Sequence, residues 1–450
     1  MSTGSTWWCE SAWLGGEVAE SCVVIEVADG RIAAVAAGVA EPPPGAVCLA
    51  GLTLPGLANA HSHAFHRALR GRTQAGTGSF WTWRDQMYGV AQRLDPDSCF
   101  RLARAVYAEM AMAGISVVGE FHYVHHQPDG TPYADPNAMG EALLAAAVEA
   151  RVRLTLLDTC YLYGGVAAGG YQTPGEHQRR FCDGSAVSWA ERVDALGTGP
   201  QARVGAAVHS VRAVDPAAIA EVAAWADGRG TPLHVHLSEQ PAENEQCAAL
   251  HGFTPTELLA DLGVVTDRLT AVHATHLTGA DIGLLADAGT GVCLCPTTER
   301  DLADGIGPSG ALAAAGVPIS LGSDSHAVVD MFEEARAVEL DERLATLVRG
   351  THAVSGLASM ATANGYRSLG WADGGVLAVG ALADFATIGL DSVRLAGTDP
   401  GTALASTVFA ATAADITHLV VGGQVVVRDG AHASIDVASE LAAAIGDLTA

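Results

Sequence analysis

The sequence predicts an α/β protein in which a closed (β/α)8 TIM-type barrel is joined to a small β-sandwich domain built from both termini. Two observations predict the barrel. Eight short apolar runs follow one another through the middle of the chain, and stretches with helical periodicity separate several of them. Alternating strands and helices imply a parallel sheet with right-handed crossovers, and eight repeats favour closure. An open doubly wound sheet is the alternative, but no glycine-rich phosphate-binding motif follows the first run.

The eight expected strands are apolar runs that end in polar residues. They span residues 54–63, 114–123, 153–161, 203–210, 232–238, 268–275, 291–296 and 317–324. Helical periodicity is clearest in residues 97–113, 138–150, 215–228 and 279–288. In barrels of this kind the chemistry lies at the C-terminal ends of the strands, so the polar residues there are candidate functional residues.

Short strands separated by turns occupy both ends of the chain. Asp29-Gly30 and Gly422-Gly423 each lie between two apolar runs, which is a hairpin signal. Each end alone is too small to hold a core. We therefore expect residues 1–55 and 376–450 to form one small β domain and residues 56–375 to form the barrel. Two independent appendages are the alternative.

The composition limits the possible partners and the cell compartment. The net charge of −26 argues against nucleic acid and anionic membranes as partners. No apolar run approaches the roughly 18 residues of a membrane span. Residues 1–16 have no basic residue ahead of an apolar core, so we expect no signal peptide. The nine cysteines are scattered without a C-x-x-C pair, which favours reduced thiols in a cytoplasmic protein.

All 24 basic residues are arginines, and the chain contains no lysine. This excludes mechanisms that require lysine, such as a Schiff base, a pyridoxal-phosphate anchor or a P-loop. It also excludes a carboxylated lysine that bridges two metal ions.

Three histidines and an aspartate end the first, fifth and eighth expected strands: His61, His63, His236 and Asp324. His61 and His63 are two residues apart, so on a strand they point to the same face. Three imidazoles and one carboxylate suit a zinc ion that keeps one position open for water. Taken singly, each of these four residues can be explained as a buried structural residue. The His-x-His pair can be explained as a chance pair among 17 histidines. Four such residues at strand ends favour a metal site.

This constellation resembles the amidohydrolase superfamily, which has a (β/α)8 barrel with His-x-His on strand one, histidines on strands five and six and an aspartate on strand eight. The resemblance covers essentially the whole chain, including the split β domain. Members with two metal ions bridge them with a carboxylated lysine on strand four. Since the chain has no lysine, we expect one Zn2+ or another single divalent ion.

Three residues are expected to be catalytic. Glu239 follows His236 in an H-x-x-E pattern that resembles the deaminase branch of the superfamily, where this glutamate moves protons. Asp324 can accept a proton from the attacking water, and His273, near the end of strand six, can orient that water. Glu239 can carry a proton to a departing nitrogen. The expected reaction is a hydrolytic deamination.

Arginines are conspicuous in so acidic a chain. Arg84 lies beside two tryptophans, and Arg212 with His209 follows strand four, where a guanidinium fork can pair with a carboxylate. Pairing of Arg212 with a nearby acid of the protein is the alternative. Three more arginines follow the first strand closely: Arg67, Arg70 and Arg72. For Arg67 and Arg70 we favour a place on the solvated face of an amphipathic helix. No role is assigned to Arg300.

Five motifs resemble the deiminases of this superfamily that act on N-formimino-L-glutamate: HSHAFHRA (61–68), FWTWRDQMY (80–88), EFHYVHH (120–126), CPTTE (295–299) and LGSDSH (321–326). The likeness implies conversion of a formimino group to a formyl group with release of ammonia. It implies a small dicarboxylate substrate that contacts Arg84, Tyr123, His209 and Arg212, in a homodimer. The alternatives are a deaminase of an amino-heterocycle such as guanine, and a zinc-binding scaffold without activity.

Overall fold

In the part of the chain that the structure describes, the strands form two large sheets and one small hairpin. A computed structural model describes residues 4–74, 77–167 and 169–449, with only the backbone at Phe80. In chain order the strands are β1 (Ser5–Ala12), β2 (Glu20–Ala28), β3 (Arg31–Ala36), β4 (Val47–Pro55), β5 (Leu57–Ser62), β6 (Ile115–His122), β7 (Arg153–Cys160), β8 (Gly165–Ala167), β9 (Gly170–Gln172), β10 (Ala202–Val208), β11 (Leu233–Leu237), β12 (Leu269–His273), β13 (Gly291–Leu294), β14 (Ile319–Leu321), β15 (Phe385–Ile388), β16 (Ile416–Val421), β17 (Gln424–Arg428) and β18 (Ala431–His432).

Helices lie between most of the strands. The α-helices are α1 (Phe80–Ala91), α2 (Pro96–Met112), α3 (Ala138–Ala150), α4 (Ala186–Val193), α5 (Pro216–Arg229), α6 (Pro241–His251), α7 (Pro255–Asp261), α8 (Gly279–Ala288), α9 (Pro296–Asp301), α10 (Ser309–Ala314), α11 (Met331–Thr346), α12 (Val354–Met360), α13 (Ala363–Ser368), α14 (Ala403–Ala410) and α15 (Val437–Thr449). Short 3-10 helices span Ala64–Leu69, Glu176–Phe181, Pro400–Thr402 and Ala413–Asp415. Among the described residues, no helix combines the length and the apolar character that crossing a membrane would require.

Within the described residues, eight parallel strands form a nearly closed barrel in the order β5, β6, β7, β10, β11, β12, β13 and β14. Ser62, at the end of β5, forms a backbone bridge to Asp324, which follows β14. This bridge brings the first and last strands together. The predicted barrel is therefore confirmed, and each of the eight expected runs overlaps one of its strands.

The first barrel strand is shorter than predicted. Leu54 and Pro55 end β4 of the other sheet, and β5 begins at Leu57. Between them lies Gly56, where a Cβ would collide with the side chain of Ser116 on β6. The chain changes sheets at this glycine because the backbone passes too close to β6 for any side chain. A continuous apolar run does not reveal such a change.

The strands of both termini form a mixed sheet in the order β18, β17, β16, β15, β4, β1, β2 and β3. The N-terminal strands join the C-terminal ones through the antiparallel pair β4–β15. Both predicted hairpins are present, β2–β3 through Asp29-Gly30 and β16–β17 through Gly422-Gly423. All four turn residues have a positive φ, which such tight hairpin turns require. The expected β domain is thus one continuous mixed sheet.

A buried ion pair connects this sheet to the barrel. Arg153 on β7 donates two hydrogen bonds to Asp384, at 2.6 and 3.0 Å. The same carboxylate accepts hydrogen bonds from the Tyr366 hydroxyl at 2.8 Å and from the backbone N–H of Gly422 at 2.7 Å. Four donors compensate the burial of the carboxylate, and they come from both parts of the molecule.

Asp384→Asn is expected to lower the free energy of unfolding by about 3 to 5 kcal/mol, because it leaves the buried Arg153 without its counter-charge. Urea denaturation measures the effect. Asp373→Asn is the matched control: Asp373 pairs with Arg31 at 2.7 Å, but both side chains are more than 40% exposed, so the loss should stay below about 1 kcal/mol. Equal losses in the two variants would contradict the structural role given to Asp384.

Candidate metal centre and active site

The four predicted metal ligands meet at the C-terminal ends of the barrel strands. His61 lies on β5 and His63 directly after it, His236 lies on β11, and Asp324 follows β14. His61 Nε2 is 3.1 Å from His236 Nε2, and Asp324 Oδ1 is 3.3 Å from Nε2 of both His61 and His63. All four side chains are buried. One small volume therefore receives three imidazole nitrogens and a carboxylate oxygen.

The protonation of these side chains fits a divalent cation. Nδ1 of His63 is 2.9 Å from the carbonyl oxygen of Phe121, and Nδ1 of His236 is 3.0 Å from that of His209. A carbonyl only accepts, so in both rings Nδ1 carries the hydrogen and Nε2 presents its lone pair to the cluster. Burial lowers the pKa of His61 to about 3 and that of His236 well below its usual value. Buried imidazole nitrogens and a carboxylate oxygen that converge in this way can bind a divalent cation, and this donor set suits zinc.

The backbone around the centre is strained. Four residues near the centre have φ values in the left-handed region, which residues other than glycine avoid. They are Ser238 (+50°), His273 (+69°), Asp324 (+40°) and His326 (+57°). Such strain is concentrated at functional sites, where the surrounding structure holds it. At Asp324 the restraint is visible, since its N–H donates to the carbonyl of His61 at 3.0 Å.

The three predicted catalytic side chains surround one space beside the metal ligands. His273 Nε2 lies 3.7 Å from Glu239 Oε1 and 3.7 Å from Asp324 Oδ2. Its Nδ1 lies 3.5 Å from Glu299 Oε1. Burial alone would lower the pKa of His273, but Glu239, Glu299 and Asp324 outweigh it and raise that pKa well above its usual value. Burial also raises the pKa of Glu239, against the opposing effect of His273 and Arg212.

Arg212 is paired with acids of the protein and still reaches the cavity. Its Nε donates to Glu243 Oε2 at 3.1 Å, and its Nη2 lies 3.7 Å from Glu239 Oε2. Glu243 Oε1 in turn accepts from the backbone N–H of Ser238 at 3.2 Å. Arg212 therefore does pair with a nearby acid of the protein, Glu243, as the alternative interpretation of this arginine predicted.

A cavity of about 260 Å3 opens onto this centre. Every predicted site residue except His61, which is fully buried, lines this cavity. The predicted residues in the lining are His63, His236, Glu239, His273, Asp324, Arg84, Tyr123, His209 and Arg212. Tyr123 places its hydroxyl 3.1 Å from His66 Nε2. Burial, followed by the charge of Arg212, lowers the pKa of His209 well below its usual value, so this ring is neutral.

Arg84 lies at the cavity wall, where its guanidinium carbon is 4.5 Å from the ring centre of Trp81 and 5.6 Å from that of Tyr88. Its Nε is buried without a hydrogen-bond partner. Across residues 4–74, 77–167 and 169–449, no carboxylate forms an ion pair with Arg84. The cavity thus has a guanidinium that the described protein does not neutralise.

The other arginines singled out in the sequence lie elsewhere. Arg67 and Arg70 both pair with Glu109 on α2, at 2.7 and 2.9 Å, with side chains only 16% and 28% exposed. The expectation that they are solvated is wrong, because the helix face they occupy packs against α2. Arg72 donates to the Thr449 hydroxyl, and Arg300 pairs with Glu333 at 2.9 Å. None of the four lines the cavity.

Several residues near the centre received no role from the sequence. Glu299 contacts His273, Tyr161 lines the cavity, and Glu120 accepts hydrogen bonds from the Ser62 hydroxyl and the Ala64 N–H on either side of His63. Glu120 and Glu299 lie inside two of the quoted motifs, and Tyr161 ends the third expected strand. These motifs and the end of that strand were therefore available signals.

A second buried group, His122, His125 and Asp158, also has metal-ligand composition. Arg192 donates two hydrogen bonds to Asp158, at 2.9 and 2.7 Å, and His125 Nε2 is 2.9 Å from the carbonyl of Thr159. The guanidinium already supplies the positive charge that this carboxylate needs. We interpret the group as a structural ion-pair network.

Comparison with known proteins places the chain in a family. A model of the amidohydrolase family matches residues 52–426. The chain belongs to the amidohydrolase family. It is a metal-dependent hydrolase that acts on carbon–nitrogen bonds, and the two relatives described next are a deiminase and a deaminase.

Two relatives and two solved structures describe the likeness of this amidohydrolase. It is 38% identical over 402 residues to the formimidoylglutamate deiminase of Pseudomonas aeruginosa, covering 86% of this chain and 87% of that one. It is 31% identical over 405 residues to the 8-oxoguanine deaminase of the same organism, covering 87% and 85%.

An amidohydrolase structure from Brucella melitensis superposes with a TM-score of 0.91 at 32% identity, covering 99% of this chain and all of that one. An adenosine deaminase from Xanthomonas campestris, solved with bound zinc, gives a TM-score of 0.82 at 24% identity and covers 98% and 97%. The second likeness shows the fold alone.

Proposed function

We propose that this amidohydrolase uses one zinc ion to hydrolyse N-formimino-L-glutamate to N-formyl-L-glutamate and ammonia, a step of histidine breakdown in the cytoplasm. The observation that carries the proposal is the guanidinium of Arg84, which lines the same cavity as the metal ligands without an acidic partner among the described residues. In a protein of net charge −26, such an arginine favours an anionic substrate. The 38% identity to a formimidoylglutamate deiminase supports the same substrate.

We assign the metal to His61, His63, His236 and Asp324, which the buried His and Asp groups at this centre support. A divalent ion bound there would supply the charge that makes water a nucleophile near neutral pH. Asp324 can accept a proton from the attacking water. His273, with its raised pKa, can donate a hydrogen bond from Nε2 to the oxygen that becomes negative. These roles match the 3.7 Å separation between His273 Nε2 and Asp324 Oδ2.

Glu239 completes the reaction by moving a proton. Burial raises the pKa of its carboxyl group, so the group takes up and releases a proton closer to neutral pH than an exposed glutamate does. In the proposed reaction water adds to the formimino carbon, the carbon–nitrogen double bond is lost, and Glu239 protonates the departing nitrogen. Ammonia leaves, and the formyl group remains on the amino acid.

The substrate carboxylates are assigned to the arginines that line the cavity. Arg84 and Arg212 supply guanidinium donors, and Tyr123 and His209 supply neutral polar groups to the same cavity lining. Because Arg212 already shares its charge with Glu243 and Glu239, Arg84 has the larger unbalanced charge. A dicarboxylate would contact both.

A deaminase of an amino-heterocycle is the second candidate, and one observation favours it. The cavity wall is rich in aromatic rings, on which a heterocycle could stack: Trp81, Trp83, Tyr88, Tyr123, Tyr161 and Phe181. The 31% identity to an 8-oxoguanine deaminase points the same way.

Ammonia release by the zinc-loaded protein decides between the candidates. We expect kcat/KM for N-formimino-L-glutamate to exceed the values for guanine, 8-oxoguanine and 5'-methylthioadenosine by at least about a thousandfold, because a heterocycle leaves the arginines unpaired. Higher turnover of a heterocycle would overturn the proposed substrate. No ammonia from any of the four would favour the inactive scaffold, against which the complete set of Glu239, His273 and Asp324 argues.

A further inference from the structure

Tyr161 has no part in the mechanism above, although it lines the cavity. It follows β7, and only 5% of its surface is exposed. Its ring packs edge to face against His209, with centroids 4.4 Å apart, and against Phe181 at 5.5 Å. Neighbours on both sides therefore hold the ring in place at the cavity wall, and the position of its hydroxyl group is defined.

Gln178 determines which hydrogen bond this hydroxyl can make. Oε1 of Gln178 accepts from the backbone N–H of Gly175 at 2.9 Å, which fixes the orientation of the amide. Its Nε2 donates to the Tyr161 hydroxyl oxygen at 2.8 Å and to the carbonyl of Gly164 at 3.2 Å. The Tyr161 oxygen is thus an acceptor, and its own hydrogen is directed to another group. Burial raises the pKa of Tyr161 well above its usual value, so the hydroxyl keeps this hydrogen at neutral pH.

The surroundings favour an anion as the acceptor. The hydroxyl of Tyr88 lies within hydrogen-bonding reach of Tyr161 and is its neighbour within the protein. A carboxylate accepts a stronger hydrogen bond than a phenol does. Arg84 and Arg212 line the same cavity, and their charges offset the cost of moving a carboxylate out of water.

We propose that Tyr161, oriented by Gln178, donates a hydrogen bond to one carboxylate of the substrate and so helps to select dicarboxylates. This inference rests on the proposed function. It adds a neutral donor to the arginines already assigned: Tyr161 directly after β7, oriented by Gln178 on the 3-10 helix Glu176–Phe181. A neutral donor placed beside arginines recognises a carboxylate by direction as well as by charge.

Tyr161→Phe tests the proposal, since it removes the hydroxyl and keeps the ring. We expect KM for N-formimino-L-glutamate to rise about ten- to a hundredfold, with kcat within about twofold of the unmodified enzyme. Tyr163→Phe is the matched control, because Tyr163 lies two residues away and outside the cavity lining, and it should change neither constant.

Two substrate analogues separate a carboxylate contact from a general packing effect. N-formimino-4-aminobutyrate lacks the α-carboxylate, and N-formimino-2-aminobutyrate lacks the γ-carboxylate. The KM penalty of Tyr161→Phe should disappear for the analogue that lacks the contacted carboxylate and persist for the other. An equal penalty for both analogues would mean that Tyr161 acts through packing, and would overturn the proposal.

Gln178→Leu provides a second test that leaves Tyr161 intact. Without the amide the hydroxyl is free to rotate, and we expect KM to rise about three- to tenfold with the same dependence on the analogue. If Tyr161→Phe does not fold, the analogue comparison with Gln178→Leu decides. An unmodified enzyme that releases no ammonia from formiminoglutamate would overturn the proposed function. Normal turnover with an unchanged KM in both variants would overturn only the role of Tyr161.

Discussion

Glu239→Gln is expected to lower kcat for ammonia release by about a hundred- to ten-thousandfold while the metal content stays the same. Glutamine keeps the size and the hydrogen-bonding shape of the side chain but cannot carry a proton to the departing nitrogen. Glu239 does not belong to the group His61, His63, His236 and Asp324, so the substitution removes no metal ligand. Steady-state kinetics with metal analysis of the same sample measure both quantities.

Glu245→Gln is the matched control for this variant. Glu245 lies six residues further on, is exposed on α6 and does not line the cavity, so neither kcat nor KM should change. If Glu239→Gln retained activity within about threefold of the unmodified enzyme, Glu239 would lose its assigned role as the proton carrier.

Removal of the metal is expected to lower kcat at least about a thousandfold, and addition of Zn2+ should restore it. The ion stabilises only the folded state, so the metal-free protein should also unfold at lower temperature. At a zinc concentration 100 times the dissociation constant the difference is about 2.7 kcal/mol. Dialysis against a chelator, followed by thermal unfolding with and without Zn2+, measures the effect. Metal analysis should give one ion per chain, because no lysine is available to bridge two.

Two histidine variants distinguish the metal centre from the structural network. His236→Gln should lose the ion, because His236 Nε2 lies 3.1 Å from His61 Nε2 within the ligand group. His125→Gln should keep it, because Arg192 already neutralises Asp158. Two ions per chain, or loss of one ion in His125→Gln, would contradict this assignment.

The sequence predicted the barrel because each of its strands is a buried apolar run, and such runs are visible without a partner. The same regularity placed His61, His63, His236 and Asp324 at strand ends, which the barrel brings together. The exchange of sheets at Gly56 was not predictable, since it depends on the approach of Ser116, about 60 residues away in the chain.

Contacts between distant side chains account for the rest of what the sequence did not reveal. Arg67 and Arg70 have Glu109 as a partner on a neighbouring helix, about 40 residues further on. Arg212 has Glu243, which no local pattern connects to it. Glu299 lies in a quoted motif, but its contact with His273 becomes visible only when strands six and seven are placed side by side. The partner of a charged side chain depends on the tertiary structure, whereas an apolar run is visible in a short stretch of the sequence.

The pairing of β4 with β15 has a consequence for the synthesis of the protein. β4 ends at Pro55 and β15 begins at Phe385, so about 330 residues must be added before the partner strand exists. At a synthesis rate of roughly 5 to 20 residues per second, this edge of β4 stays unpaired for about 15 to 65 s while the rest of the chain is made. An unpaired edge strand is a site for association with other chains during that time. We therefore expect nascent chains that end before Phe385 to aggregate or to bind chaperones, however complete their barrel.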